Sequence, residues 1–560
     1  QAFREMAGDP KMDDDVHCIT LDLLPEECLI HIMCQLSAVD NAAVARSSKL
    51  LRDAAYSDFV WRELCVREMH GASLDFNESV LGSFSHPDAQ PIKKTPSLSR
   101  QISSASGAPW REVYRTTTKS LALTLCVDTG RGYAKFGLAN AGTPLVLQIC
   151  QPNAECSQDT LYPSVLRRLS LRRSQLSDYS AIVSEPFVLA TQAGARQRQA
   201  WRADVEHRLL QGYGFRRLAI VDSASLCLFA HKLTSGVVMN IGFGRTFIVP
   251  VLAGNIVRSA VRGLNLSGME LTQHMAELLH RAGHHLAWAP AWGVDRPLPP
   301  VTVARNLKEL GAEVFPTSLR DHLGCSPFML SSVLARTDAP VKECAIGSKT
   351  FALGWERFVC AEILFHDDGT EEEGPNDPLH KGVVAAINAA VKAVANGEVE
   401  DVASSGEDLR AELLKRIVLS GGSATMPGLP ERLAREINEI VKPCHPPRAS
   451  PRSPAPAAAK PAAVAAAGES VPVLCGKVAV YPAHASDTST WLGASMLAGT
   501  STFATHWAVR TPKNAAGGAG ACRLEDSGEE EEEDSNEGLE NMGQESDEGQ
   551  ESDEGQESDE

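Results

Sequence analysis

Apolar residues in LDLLPEECLIHIMCQL (21–36) fall on one stripe. Leu29, Ile32, Met33 and Leu36 recur at i, i+3, i+4 and i+7, the spacing of one helix face. Pro25 suits a first helical position, and Glu26 and Glu27 complement the positive end of the helix dipole. Asp40 is placed to cap a second helix over 42–46. A third, starting near Ser57 or Asp58, carries Phe59, Val60, Trp61 and Leu64. Three short helices within 19–70 form a small bundle, marginal alone.

Beyond it the pattern changes. Residues 85–109 are rich in Ser and Pro and read as a linker, with serines near basic residues. Over 118–512 strand and helix signals alternate around glycine-rich turns. The anchors are LALTLCVDTGRGYAKFGLA (121–139), GVVMNIGFGRTFIVP (236–250) and RIVLSGGSATMPGLPERLAREINEI (416–440). The first two read as hairpins tipped by Gly-x-Gly, the third as a strand running through Ser-Gly-Gly into a helix start. The stretches 366–380 and 444–473 are polar or Pro/Ala-rich and are expected to be surface insertions. Residues 1–18 are a flexible N-terminus. The tail 513–560 ends in three copies of GQESDE and is expected to be disordered.

Charge changes the picture only at that tail. The net charge is −18, but 19 of the 71 acidic residues lie between Glu525 and Glu560, where no Lys or Arg occurs. The remainder holds 52 acids against 53 bases, so no basic footprint for direct nucleic-acid binding is present. Such a tail reads first as a solvated, solubilising segment, with contact to a histone or another basic protein as the functional alternative. The 14 cysteines contain no Cys-x-x-Cys pair, so free thiols are expected and no metal site. The histidines of HRAGHH (280–285) lack a further ligand at suitable spacing and read as an exposed helix end. No apolar run reaches membrane-spanning length. The sequence opens on Gln1, which leaves targeting upstream of it open.

The hairpins carry the candidate chemistry. Gly130 and Gly132 free the backbone to wrap an anion, Asp128 can hold a metal's water shell, and Lys135 can reach phosphate as a point charge. This is not a dinucleotide fingerprint, because Gly-x-Gly leads into a strand rather than a helix. In the second hairpin the tip reads Asn240-Ile241-Gly242-Phe243-Gly244, without acids. The third element brings backbone close to a ligand through Ser420, Gly421 and Gly422.

Region 120–510 resembles actin and the actin-related proteins. The likeness is closest at IVLSGGSATMPGLPERLAREI (417–437) and WLGASMLAGTSTFATHW (491–507), and clear at RGLNLSGMELTQHM (262–275) and ARNLKELGAEV (304–314). It implies two α/β halves around a nucleotide cleft. By the resemblance Asp128, Thr129, Gly130, Gly132 and Lys135 would lie by the phosphates and metal, with Gly242 and Gly244 on the second loop. Lys308 and Glu309 would lie at the adenine and ribose, and Gly421, Gly422 and Met426 beside the base. The site is degenerate. The family's second loop reads Asp-Ser-Gly-Asp-Gly, so both of its carboxylates are missing here. Its first-loop serine is Arg131, its water-positioning glutamine falls at Ser223, and its assisting histidine at Phe247. Phosphoryl transfer needs metal-held charge and an oriented nucleophile, so no catalytic residue and no ATP hydrolysis are expected. ATP or ADP bound without turnover, and a cleft that is empty or filled by side chains, both stay open. Only 57 positions separate Asp128 from Glu185, fewer than in conventional actin, which argues against filament formation.

The N-terminal helices resemble an F-box, with PWREVY (109–114) like the aromatic-basic element that often trails it. That resemblance implies docking to the Skp adaptor of cullin–RING ubiquitin ligases through Leu24, Pro25, Leu29, Ile32, Leu36 and Trp61. A generic bundle packed on the body is the alternative. The combination resembles the plant-type F-box actin-related proteins. It implies a non-catalytic interaction protein, the receptor of a Skp–cullin–F-box ligase for an unknown protein substrate, in the nucleus and/or cytoplasm. A structural nuclear actin-related subunit of a chromatin-associated complex is the second reading.

Overall fold

Ser37 and Ser48 start two of the N-terminal helices, their hydroxyls accepting from the Asp40 and Leu51 amides at 3.1 and 3.2 Å. The structure, a computed structural model, describes residues 24–68, 110–149, 158–189, 191–286, 299–326, 329–336, 338–366, 375–399, 406–441, 472–484, 487–499 and 507–509. The expected N-terminus 1–18, linker 85–109 and tail 513–560 lie outside the described residues. The bundle comprises α1 (Glu26–Gln35), α2 (Ala38–Val44), α3 (Lys49–Ala55) and α4 (Asp58–Glu68). Two expectations are corrected. Asp40 lies in the first turn of α2 and Ser37 is its cap. Helix α3 went unseen because two turns give too few positions for a periodicity to show.

Helix α5 (Trp110–Ala122) belongs to bundle and body together. The Tyr114 ring meets Trp61 edge-on at 5.1 Å, and the Arg111 guanidinium lies 3.8 Å over the Tyr56 ring. Asp58 accepts from the Trp110 amide at 2.5 Å. At its other end Leu121 shares a buried cluster with Cys65 of α4 and with Cys126, Ile182 and Trp491 of the body.

The body has two sheets built on one plan. The first contains β1 (Thr124–Asp128), β2 (Tyr133–Leu138), β3 (Leu145–Gln148), β4 (Ser180–Glu185) and β5 (Arg217–Asp222), with α6 (Gln158–Arg168), α7 (Gln192–Glu206) and α8 (Ser223–Ala230). The second begins with β6 (Gly236–Ile241), β7 (Thr246–Leu252), β8 (Asn255–Ile256) and β9 (Arg262–Leu264). Then come α9 (Gly268–Arg281), α10 (Pro300–Gly311), α11 (Leu319–Leu323), α12 (Leu330–Leu334) and the hairpin β10 (Lys342–Ile346), β11 (Lys349–Leu353). Next are α13 (Glu356–Glu362), α14 (Leu379–Ala395), α15 (Gly406–Leu414), β12 (Ile417–Ser420) and α16 (Leu429–Val441). The last elements among the described residues are β13 (Val473–Cys475), β14 (Val478–Tyr481), α17 (Ser489–Ala498) and β15 (Ala508–Val509), the last on the first sheet.

The orders are β15-β5-β4-β1-β2-β3 and β13-β14-β12-β6-β7-β8, with β9 also on β7. Each sheet starts from an antiparallel hairpin, β1–β2 or β6–β7, whose first strand takes a parallel neighbour, β4 or β12. Strands β1, β4 and β12 are buried along their whole length, as central parallel strands covered on both faces must be. Helices α8 and α17 pack against each other so closely that a Cβ on Gly493 would meet the Leu226 carbonyl oxygen at 1.9 Å. Two insertion boundaries need correction. Leu379 and His380, expected in a loop, are buried at the start of α14, and Val473 opens β13. Residues 367–374 and 442–471 lie outside the described residues.

Candidate functional site

The hairpin tips face each other across a cleft. On the first, Lys135 of β2 stands opposite Asp128 of β1, with Nζ to Oδ2 at 3.6 Å. Its nearer partner is Asp487, at 2.9 Å. Asp487 lies between β14 and α17 in left-handed backbone (φ 50°), a conformation that costs an Asp little. Its other oxygen accepts from the Ser420 hydroxyl at 3.1 Å and the Gly421 amide at 2.7 Å. Asp128 accepts from Ser184 at 2.9 Å, and Ser184 in turn accepts from the Thr129 amide at 3.1 Å. Burial pushes the Asp128 carboxyl up, against the pull of Lys135. For Lys135 burial acts downward, but Asp487 and Asp128 outweigh it and hold the ammonium above its ordinary pKa. The sequence gives no motif for Asp487 or Ser184, because they reach the site only through the crossing of α17 and the register of β4 on β1.

The second tip is pinned from outside. The Gly268 and Met269 amides at the start of α9 donate to the Gly242 and Phe243 carbonyls at 2.9 and 2.8 Å. The Ser267 hydroxyl adds a third bond, to Phe243 O at 2.9 Å. Those amides are the groups a helix N-terminus would offer an anion. Asn240, in place of an acid, donates to Ser420 Oγ at 3.2 Å. Phe243 lies against the first tip, where a Cβ on Gly132 would meet its Cβ at 3.0 Å, and the Arg305 guanidinium stands 5.5 Å over its ring.

The remaining expected residues divide. Lys308 is buried and donates to Gly268 O at 3.1 Å; burial lowers its pKa. Glu309 faces the cleft and accepts the Tyr133 hydroxyl at 3.2 Å on each oxygen. Gly421 (φ 93°) sits where a Cβ would strike Ile241 O at 2.4 Å, so its backbone rests on the second hairpin. Gly422 faces open space, while Met426 is packed in the core of the second half. A short 3₁₀ turn, Gly422–Thr425, separates Ser-Gly-Gly from α16, so the expected helix start directly after it is corrected. Gly130 keeps the first tip tight, since a Cβ there would meet Tyr133 O at 2.5 Å; on the second tip Gly244 has only an ordinary contact, 3.6 Å from the site of a Cβ to Arg131 Nη1.

This donor set does not fit a magnesium nucleotide. The second tip supplies no carboxylate, and Lys135 and Asp128 of the first are engaged with each other and with Asp487. Ser223 donates its hydroxyl to Glu185 O at 2.6 Å, and Phe247 stacks on Phe187 at 5.6 Å, so neither is placed to orient a water. Beside the crossing, His231 and His484 lie ring to ring at 4.5 Å. Burial first, then the neighbouring ring, lowers His231 to about 3, and burial also lowers His484. A histidine pKa depressed by folding gives stability that is full above about 6.5 and lost as pH falls towards the folded value. Asp222 acts oppositely: burial and Glu185 raise it to about 6, so its contribution is present below about 4 and lost as pH rises through 6. The native chain is therefore compared with His231→Gln. Between pH 6 and 5 the variant should show a slope of unfolding free energy smaller by about 1.4 kcal/mol per pH unit. Equal slopes in urea titrations would show that His231 does not titrate on unfolding. Of the other histidines, His284 Nε2 lies 3.4 Å from Glu356, just past the end of α9.

In the bundle, Leu29 and Met33 turn inward at 0% and 1% exposure, and Trp61 donates from Nε1 to Ala55 O at 2.9 Å. Leu29 and Trp61 thus build the bundle and do not face a partner, which corrects their assignment to adaptor contact. Leu24 and Leu36 are half-buried on the same core, Pro25 is exposed, and Ile32 is half-buried. Val39, Leu50 and Phe59 are apolar and exposed at 78%, 40% and 49%; as single positions they carry no periodic signal.

A helical bundle joined to two matched α/β halves around a hairpin-lined cleft defines the class: an F-box-like module on an actin-type body. The Actin family model matches residues 152–307 and 314–514, more than half of the chain, and the chain belongs to the actin family. An F-box-like model matches residues 21–67. The first hairpin precedes the Actin match, so its place in the site rests on the geometry above. Actin-related protein 8 of Oryza sativa subsp. indica is 25% identical over 519 residues, covering 88% of this chain and 87% of the relative. Actin-related protein 2 of Saccharomyces cerevisiae is 32% identical over 234 residues, 41% of this chain and 51% of the relative.

Proposed function

We propose that this chain is a non-catalytic receptor: its F-box-like bundle recruits a Skp-type adaptor and cullin, and its actin-like body presents a surface to a protein substrate. The observation that carries the reading is α5, which packs on Trp61 at one end and enters the body core at the other. A shared helix fixes the orientation of the two modules, and a ligase receptor needs a fixed distance between substrate and ubiquitin donor. The absence of turnover is part of the proposal, and the engagement of Ser223 and the position of Phe247 support it. The compartment this reading carries is nucleus and/or cytoplasm. Among the described residues no helix is long and apolar enough to cross a membrane.

Purified full chain mixed with the adaptor–cullin pair is the test. The native chain should co-elute with both, and Pro25→Ala/Ile32→Asp, altered on the outer side of α1, should not. No complex with the native chain would overturn the proposal. A second reading, a structural nuclear subunit whose tail contacts histones, is favoured by the 19 acids after residue 524. Histone binding by the native chain, lost on deleting 525–560, would support that reading.

A further inference from the structure

We propose that the cleft is held shut by a clasp of its own side chains. In it the Tyr133 hydroxyl occupies the Glu309 carboxylate that the family resemblance assigns to a ribose. Three contacts join the halves, two of them from β2. Tyr133 of β2 donates to Glu309 of α10 at 3.2 Å. Phe243, on the second tip, closes against Gly132 on the first, with Arg305 of α10 over its ring. Lys135 of β2 holds Asp487, which also holds the Gly421 amide beside the second hairpin. Each uses a group that a nucleotide would need free: the ribose acceptor, the space between the tips, and the phosphate-reaching ammonium.

The chemistry of the clasp is self-consistent. Burial and then the Glu309 charge raise the Tyr133 pKa, so the phenol stays protonated and remains a donor. The second tip is held to its own half, because the Gly268 and Met269 amides of α9 donate to its carbonyls. In a nucleotide-binding member of this architecture, closure is linked to ligand, since anything that binds only the closed state stabilises it. Here that linkage is replaced by covalently tethered groups, and closure becomes a constant property of the fold. A receptor gains from this a substrate-presenting surface that does not vary with nucleotide supply. The inference stands on the cleft alone and does not depend on the adaptor reading.

Hydrogen exchange of the full chain, read at the tips 129–133 and 242–245, tests it. Without nucleotide the native tips should be protected, and MgATP in the millimolar range should change neither their exchange nor the melting temperature. Tyr133→Phe, which removes one oxygen and keeps the ring, should raise tip exchange about fivefold, the factor expected for losing one hydrogen bond. Glu309→Gln retains an acceptor oxygen and should remain close to native. Protection that appears only with MgATP, or native-like tips in Tyr133→Phe, would overturn the clasp. So would a rise in Glu309→Gln as large as that in Tyr133→Phe, since charge and not the hydroxyl would then hold the halves.

Discussion

Lys135→Met should destabilise the body by about 3–5 kcal/mol, among the largest effects of any single substitution in the cleft. The ammonium is 2.9 Å from Asp487 and 3.6 Å from Asp128, and all three side chains are nearly sealed from water. Methionine fills similar volume but leaves two carboxylates facing each other without a cation. Most of the cost is that stranded charge, so a second substitution should return part of it. Lys135→Met/Asp487→Asn is expected to recover stability because the asparagine oxygen can still accept from Ser420 and Gly421. Urea unfolding of the three proteins measures both effects. A single variant within 1 kcal/mol (about fivefold in the equilibrium) of native would mean the network is solvated and contributes little.

The second large effect concerns the bundle. Trp61→Ala should cost about 3–5 kcal/mol in the N-terminal module, the range for deleting a buried indole. It removes the Nε1 bond to Ala55 O and the edge-on contact with Tyr114, opening the seam between α4 and α5. The expected readouts are protease cleavage within 24–68 and loss of adaptor binding together. Ile32→Asp, on a residue outside the buried cluster, should lose adaptor binding while the bundle stays protease-resistant. An intact, adaptor-binding Trp61→Ala protein would show that α5 does not hold the bundle. The contrast separates residues that shape the module from residues that touch a partner, a distinction the apolar stripe of α1 does not make.

Local signals were legible in the chain wherever one element decided the outcome. The two glycine-tipped hairpins, the strand before Ser-Gly-Gly and the inward Leu29, Met33 and Leu36 of the bundle's first helix follow from spacing and from glycine chemistry, while Ile32 of the same stripe lies outside the buried cluster. The substitutions Asn240, Phe243 and Arg131 on the loops were visible as departures, and so was the conflict between a phosphate-type turn and its missing acids. Boundaries were less legible: α14 begins inside a stretch whose polarity marks a loop, because Leu379 and His380 follow the polar residues directly.

Tertiary structure alone decided what the departures amount to. Asp487 is 352 residues from Lys135 and Glu309 is 176 from Tyr133, so no window of sequence pairs them. The same holds for Phe243 against Gly132, and for the α9 amides that take the carbonyls of the second tip. Sequence by itself determined the kinds of groups present: where the hairpins lie, which turns need glycine, and which acids are gone. Only the fold decided which of those groups satisfy one another, because burying a charge or an amide forces it onto whatever partner the packed sheets bring within reach.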